Sequence, residues 1–298
     1  MDALDAVAQV RSFNRLVTER VGALNDRYLT RARPLGEARV LWEIGDGCEI
    51  RRLRASLGLD SGYLSRLLRS LEGAGLVTVR TSDDDRRVRR AELTPAGAAE
   101  RELLDRSSDE LARSFLEPLD EPRRDRLVAA MAEVERLLTS GLVEIRRADP
   151  SEPEAQACMA AYAAELERRF ESGFDPAQST LPDLEELRPP GGELLVASLH
   201  GEPVGCGGLV LHAGEPPIVK RMWVAERVRG LGLGRRLLAE LERRAAATGA
   251  SVVRLETNEA LVEAIALYRS SGYREIEPFN DEPYAHHWFE KELTAPRS

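Results

Sequence analysis

The run Arg229-Gly230-Leu231-Gly232-Leu233-Gly234-Arg235-Arg236-Leu237-Leu238 joins a strand-like segment, Ile218 to Val224, to a helix that reads on to about Thr248. Its three alternating glycines let several backbone N–H groups turn toward one point, and the helix N-terminus adds the positive end of its dipole. The guest such a turn suits is an anion such as a pyrophosphate, with Arg229 and Arg235 supplying full charge nearby. A dinucleotide fingerprint would hold its third glycine one residue later, and the Gly-Lys-Ser/Thr of a P-loop is absent. On the N-terminal side, Leu194–Leu199, a turn at His200–Pro203, and Val204–Leu211 read as a hairpin. On the C-terminal side come a strand at Val252–Thr257, a helix at Leu261–Ser271, strand from Tyr273, and a closing segment at His287–Leu293. Leu142 to Arg147 alternates as a first strand, which divides the chain into domains 1–141 and 142–298 without a long linker.

Arg229-x-x-Gly232-x-Gly234 in this strand–turn–helix setting resembles the acetyl-coenzyme A loop of the GNAT superfamily of N-acetyltransferases. Ala264-Ile265-Ala266-Leu267-Tyr268 with Ser271-Gly272-Tyr273 is similar to that superfamily's second cofactor motif, and the likeness spans roughly residues 143–295. The resemblance implies an α/β (α+β) fold with a mixed, largely antiparallel sheet, and acetyl-coenzyme A as cosubstrate for acetylation of an amine. It implies that the amides of Arg229, Gly230, Leu231, Gly232, Leu233 and Gly234 hold the pyrophosphate beside Arg235. It also implies that Met222-Trp223-Val224 runs along the pantetheine arm, with the main chain of Met222 and Val224 pairing with it. By the same likeness Tyr268 protonates the leaving thiolate and the Val224 amide polarises the carbonyl. Leu261 stands where many members carry a cofactor-contacting asparagine. No general base is obvious: Glu256, at a strand end, is the first candidate, followed by His212 and Glu215. Tyr162 to Asp183, with Phe170, Glu171, Phe174 and Asp175, occupies the place of the substrate wall and is expected to set specificity. No metal site is expected, because His286 and His287 are adjacent on a strand and point to opposite faces.

Residues 3–30 carry apolar residues at helical spacing. After Pro34 follow helices at Glu37–Ile44 and Ile50–Leu57, then a third, capped by Asp60 or Ser61, to Glu72. Leu76–Arg80 and Val88–Leu93 read as two strands around the polar turn 82–87, and a long helical region from Thr94 reaches Leu138 with a break near Pro118–Pro122. Helix, short helix, helix and hairpin is the order of a winged helix-turn-helix. Leu64-Ser65-Arg66-Leu67-Leu68-Arg69-Ser70-Leu71-Glu72, Gly75-Leu76-Val77, and Asp83 through Gly97 resemble the MarR family of transcriptional regulators over residues 3–140. Leu64, Leu67, Leu68 and Leu71 share one face of the third helix and leave Ser61, Gly62, Tyr63, Ser65, Arg66 and Arg69 for base edges and phosphates. Arg86 and Arg87 at the wing tip suit a neighbouring minor groove. The resemblance implies a homodimer through the first and last helices, reading a double-stranded operator.

The charge distribution agrees with a divided chain. Among 298 residues, 1–142 carry 24 Arg against 25 Asp and Glu, while 143–298 carry 18 Arg and Lys against 26 acids. Residues 51–90 hold 10 Arg against 5 acids, a basic stripe within an acidic chain, as a local nucleic-acid footprint requires. Hydrophobic residues at 43% and charged residues at 31% allow buried cores and exclude a disordered tail. No apolar run approaches the roughly 18 residues of a membrane span, and the first residues lack the basic and apolar regions of a signal peptide. Three scattered cysteines give no disulfide framework, so a reducing cytoplasm is the expected compartment. Three functions fit these features. One is a transcriptional regulator fused to an acetyl-coenzyme A-dependent N-acetyltransferase; another is a regulator whose second domain senses acetyl-coenzyme A or a metabolite without turnover. The third is an enzyme whose first domain serves as a dimerisation scaffold.

Overall fold

The computed structural model describes residues 3–22, 33–81, 88–171, 173–175 and 184–293. The chain forms two compact units, Met1–Met131 and Ala132–Ser298. The division falls inside a helix, Glu121–Gly141, whereas the sequence reading put it after that helix.

The first unit runs α1 (Ala3–Arg20), α2 (Leu35–Ile44), β1 (Cys48–Glu49), α3 (Ile50–Leu57), α4 (Ser61–Gly73), β2 (Val77–Thr81), β3 (Arg89–Leu93), α5 (Pro95–Leu116) and the start of α6 (Glu121–Gly141). The sheet order is β1-β3-β2, all antiparallel. α4 starts where Asp60 Oδ1 accepts from the Tyr63 amide at 2.9 Å. Its leucines at 64, 67, 68 and 71 enter the core with Val40, Leu41, Ile44, Leu53 and Leu104. α5 is capped by Thr94, whose Oγ1 accepts from Gly97 N at 3.0 Å and donates to Gly75 O at 2.7 Å. A β-carbon at Gly97 would stand 1.9 Å from the Leu76 carbonyl oxygen, so the start of α5 sits on that backbone only as glycine. α1 turns Val7, Val10, Phe13, Leu16 and Val17 to solvent in the single chain, and α6 exposes Val128, Met131, Val134, Leu137 and Leu138.

In the second unit β4 (Glu144–Ala148), α7 (Pro153–Arg169), β5 (Gly192–Leu199), β6 (Glu202–Val210), β7 (Ile218–Val224), α8 (Leu233–Ala247), β8 (Val252–Thr257), α9 (Val262–Ser270), β9 (Arg274–Ile276) and β10 (His287–Glu292) follow in order. They build a seven-stranded sheet of order β4-β5-β6-β7-β8-β10-β9, antiparallel except for β7 beside β8. Both faces are covered. On β5, Leu194 and Val196 face Ala155, Cys158 and Met159 of α7, while Leu195 and Ala197 face Leu237, Leu238 and Leu241 of α8. That two-sided burial is why β5 reads as a continuous apolar run. The mixed, largely antiparallel α+β sheet after a mainly helical winged unit matches the sequence expectation. α8 begins at Leu233, so Leu233 and Gly234 belong to its first turn rather than to the loop before it.

Candidate active site and exposed recognition helix

The parallel ladder between β7 and β8 is short. Ile218 pairs with Arg254 and Val219 with Leu255, and there the register ends. Past it the strands part, and the next residue of each, Lys220 and Glu256, forms a buried ion pair. On the other edge of β7, Ala225 N donates to Val204 O at 2.9 Å. In an antiparallel ladder the neighbouring pair, Val224 with Gly205, therefore turns its N–H and C=O away from β6, toward the side that β8 has left. The sequence-expected role of Val224 in hydrogen bonding to a guest has the right backbone direction. Met222 differs, because it lies in a β-bulge where Gly207 faces both Arg221 and Met222.

A cavity of about 420 Å³ occupies the parting. Its walls include Met222, Trp223 and Val224 from β7, Arg229, Gly230, Gly232, Leu233, Gly234 and Arg235 from the glycine turn, and Leu261, Ala264, Leu267 and Tyr268 around α9. Gly230 and Gly232 stand at φ +80° and +75° with no atom within 4 Å of where a β-carbon would be, which leaves their backbone open to a guest. The first main-chain bond at the head of α8 runs from Arg236 N to Gly232 O at 3.1 Å, so the N–H groups of Leu233, Gly234 and Arg235 precede it. Two of the expected amide donors are engaged elsewhere: Arg229 N bonds Glu226 O at 3.1 Å and Leu231 N bonds Val228 O at 3.4 Å. Leu231 is not among the cavity's walls. Gly234 serves packing, since a β-carbon there would meet Leu267 Cδ2 at 3.2 Å. Open amides at a helix start for a diphosphate, and an apolar trough between β7 and α9 for a long thin arm, fit coenzyme A.

The Arg229 side chain does something the motif did not suggest. Its Nη2 lies 2.6 Å from both carboxylate oxygens of Glu165 on α7, and its Nε donates to Val224 O at 3.1 Å. Glu165 is 8% exposed and also accepts from Trp223 Nε1 at 2.9 Å. The sequence reading missed Glu165. Its signal was a carboxylate one turn from Tyr162 and beside Leu166, on the apolar face of α7.

A second, smaller cavity of about 70 Å³ adjoins the first, sharing the walls Tyr162, Leu166, Met222, Leu261, Ala264 and Tyr268. Glu256 opens onto it, with Lys220, Arg221 and Glu282. Burial raises the Glu256 carboxyl above the usual carboxylate range, against the pull of Lys220. Tyr268, buried in α9, has its hydroxyl pushed well up by burial and by the charge of Glu256, so it stays protonated and able to donate. Phe170, Phe174 and Tyr284 form an aromatic wall, with ring centroids 5.1 to 5.9 Å apart. Glu171 is exposed and lines an outer groove together with Asp175, whose amide donates to the Tyr284 hydroxyl oxygen at 2.9 Å. Residues 172 and 176–183 of the expected substrate wall lie outside the described residues. His212 and Glu215 pair with each other at 3.7 Å, and neither lines either cavity. His286 and His287 each face a different carboxylate, Glu259 and Glu275, and no metal-holding cluster occurs among the described residues.

In the first unit α4 is divided as its periodicity requires. Ser61, Gly62, Tyr63, Ser65, Arg66 and Arg69 are all exposed while the four leucines are buried. Arg66 lies over the Tyr63 ring at 5.6 Å, and Arg69 Nε donates to Ser65 O at 3.2 Å. Arg80 and Arg89, exposed on the wing strands, extend the basic surface beyond the residues singled out from sequence. Arg86 and Arg87 lie outside the described residues.

Comparison with known proteins gives two matches within the chain. Residues 155–273 match the acetyltransferase (GNAT) family and residues 36–88 the MarR family. An IAA acetyltransferase of Azospirillum brasilense is 41% identical over 118 residues, covering 39% of this chain and 76% of that protein. Among solved structures, an acetyltransferase of the GNAT family from Staphylococcus aureus aligns at 20% identity over 51% of this chain and 99% of its own, with TM-score 0.44. A mutant MarR from Escherichia coli aligns at 22% identity over 45% of this chain and 96% of its own, with TM-score 0.35. No described helix is long and apolar enough to cross a membrane.

Proposed function

The chain belongs to the acetyltransferase (GNAT) family and carries a MarR-family domain ahead of its acyltransferase domain, and from this we propose a DNA-binding regulator that also acetylates an amine. The observation that carries the enzymatic half is the pair of joined cavities with Tyr268 in their common wall, one headed by open amides and the other holding a lifted carboxyl. Acetyl-coenzyme A, when bound, supplies an acyl group activated as a thioester. Gly230, Gly232, Leu233, Gly234 and Arg235 would hold its diphosphate, Met222, Trp223 and Val224 its pantetheine arm, and the Val224 amide its carbonyl oxygen.

Three tasks fall to the side chains. Glu256 accepts the proton that an ammonium acceptor must shed before its nitrogen can attack, a role its raised pKa favours. As the carbon–nitrogen bond forms and the carbon–sulfur bond breaks, the Tyr268 hydroxyl gives its proton to the departing sulfur. The apolar walls keep water from the thioester. Release of free thiol with a panel of amines tests the reading, and IAA, named for the Azospirillum brasilense relative, is assayed beside that panel. Tyr268→Phe is expected to lower kcat by about 10²-fold with acetyl-coenzyme A affinity retained. Parent-like kcat in that variant would remove Tyr268 as the acid, and coenzyme A binding without thiol release from any amine would favour the sensing function.

For the regulatory half, the exposed face of α4 and the basic wing strands support binding of a double-stranded operator. The outward apolar residues of α1 and α6 support a homodimer.

A further inference from the structure

We propose that Tyr162 is a second catalytic hydroxyl of this site, donating a hydrogen bond to the oxygen of the tetrahedral centre formed during acetyl transfer; the proposal rests on the acetyl-transfer reading above. The walls common to the two cavities are Tyr162, Leu166, Met222, Leu261, Ala264 and Tyr268. Of these six side chains only the two tyrosines carry an O–H or N–H that can donate. In that reading the cofactor arm fills the larger cavity and the acceptor the smaller, so the thioester belongs at their junction. Tyr162 reaches the junction from α7 and Tyr268 from α9. Neither hydroxyl has a hydrogen-bond partner among the described residues.

Helical spacing explains the placement. Tyr162, Glu165, Leu166 and Arg169 recur at i, i+3, i+4 and i+7, so one face of α7 turns all four to the larger cavity. Glu165, one turn on from Tyr162, accepts from Trp223 Nε1 at 2.9 Å and from Arg229 Nη2 at 2.6 Å, which holds this stretch of α7 against β7. Burial, with Tyr268 and Glu256 nearby, pushes the Tyr162 hydroxyl well up against the pull of Arg221. It therefore keeps its proton and serves as a donor, not as a base. Three atoms of the reaction need help. The nitrogen gives its proton to Glu256, and the sulfur receives one from Tyr268. The oxygen is left with the Val224 amide alone, yet negative charge develops there. As the nitrogen lone pair adds to the carbonyl carbon, the π pair of the carbonyl moves onto oxygen; it returns when the carbon–sulfur pair leaves with sulfur. A second fixed donor stabilises that oxyanion more than the neutral carbonyl. Tyr162 ends the cycle with the proton it began with.

Two measurements on the full chain separate this contact from the transfer reading. Infrared difference spectra of carbonyl-labelled acetyl-coenzyme A, bound without an acceptor, report hydrogen bonds to the carbonyl directly, because each one lowers its stretching frequency. Tyr162→Phe is expected to move the bound carbonyl band toward that of the free thioester, whereas Tyr268→Phe leaves it in place. Thiol release is then followed with spermidine, tryptamine, L-methionine and a lysine peptide as acceptors. Tyr162→Phe is expected to lower kcat by about 10²-fold, the cost of removing one oxyanion donor. Calorimetry is expected to show coenzyme A binding to the variant as to the parent, since the ring and its packing are kept. An unmoved carbonyl band or a parent-like kcat in the variant overturns the proposal. Lost coenzyme A binding overturns it too, because Tyr162 would then build the site and not act in it. A band that shifts with Tyr162, in a parent that releases thiol with no amine, keeps the hydrogen bond and defeats the acetyl-transfer reading instead.

Discussion

Glu165 joins three parts that lie far apart in sequence: α7, the indole of Trp223 on β7, and Arg229 at the entry to the glycine turn. With Arg229 Nε also on the Val224 carbonyl, this one carboxylate fixes the end of β7 against the turn whose amides face the cavity. Removing one partner of a buried ion pair leaves the other charge uncompensated, although Arg229, 34% exposed at its side chain, recovers part of that from water. Glu165→Gln keeps the size and one acceptor oxygen but sets an NH₂ against the guanidinium. It is expected to raise the KM for acetyl-coenzyme A by about tenfold, the cost of about 1.4 kcal/mol of ordering, with kcat changed by less than about threefold, since no reacting atom is touched. Glu165→Asp, which retains the charge, is expected to recover part of the loss. Kinetics at varied acetyl-coenzyme A decide it: an unchanged KM in the Gln variant would leave Glu165 a packing residue only. The one local sign, a carboxylate on the apolar face of α7, does not say what Glu165 binds. The place of Arg229 and Tyr268 at the cavity was legible because their motifs are contiguous, whereas Glu165, beside a local ion pair with Arg169, meets Trp223 and Arg229 from more than fifty residues away. The left-handed conformation of Arg221 in β7, at φ +55°, was hidden for a related reason, since it follows from the register mismatch with β6 and leaves no mark in composition.

At the scale of elements, the meeting of α4, β2 and α5 depends on a backbone approach that no side chain tolerates. Leu76 O accepts from Thr94 N at 3.0 Å and lies where a β-carbon on Gly97 would come within 1.9 Å. Gly97→Ala must push the first turn of α5 away from β2 or break the Thr94 cap, and is expected to destabilise the unit by about 2–3 kcal/mol. Gly73→Ala, at a helical glycine with nothing within 4 Å, is expected to be neutral or to stabilise by up to about 1 kcal/mol. Denaturant unfolding of both variants tests the contrast, and equal midpoints would refute it. Elements with strong periodicity were readable in advance: the leucines of α4 and the two-sided strand β5 declare their surroundings through spacing alone. β1 was not, because two residues carry no period and Cys48–Glu49 become a strand only by pairing with Ala91 and Arg90 of β3. The start of α8 had no sign of its own, because its N-cap, Gly232, is a left-handed glycine with no capping side chain.

For the whole molecule, the unusual quantity is apolar surface left in water. Val7, Val10 and Leu16 on α1 are 59%, 58% and 57% exposed, and Leu137 and Leu138 on α6 are 60% and 66% exposed, on helices that a monomer gains little by keeping apolar. A second copy of the chain covering these faces explains their composition and would present two α4 helices to one duplex. Dimerisation and operator binding are then linked, because a dimer neutralises twice the phosphates of one chain and the salt dependence of binding scales with that number. Val10→Glu with Leu16→Glu places charge on a face that no core of the single chain uses, so the fold should persist. Sedimentation is expected to show a particle of twice the chain mass for the parent and one chain mass for the variant. Operator affinity should fall by more than about 10²-fold, and the slope of log K against log salt should drop by about half. Arg66→Ala in the intact dimer should weaken binding without changing the mass. Two results would refute the linkage: a dimeric variant, which would put the interface elsewhere, or a monomer with the parent's affinity and slope, which would mean that one α4 suffices.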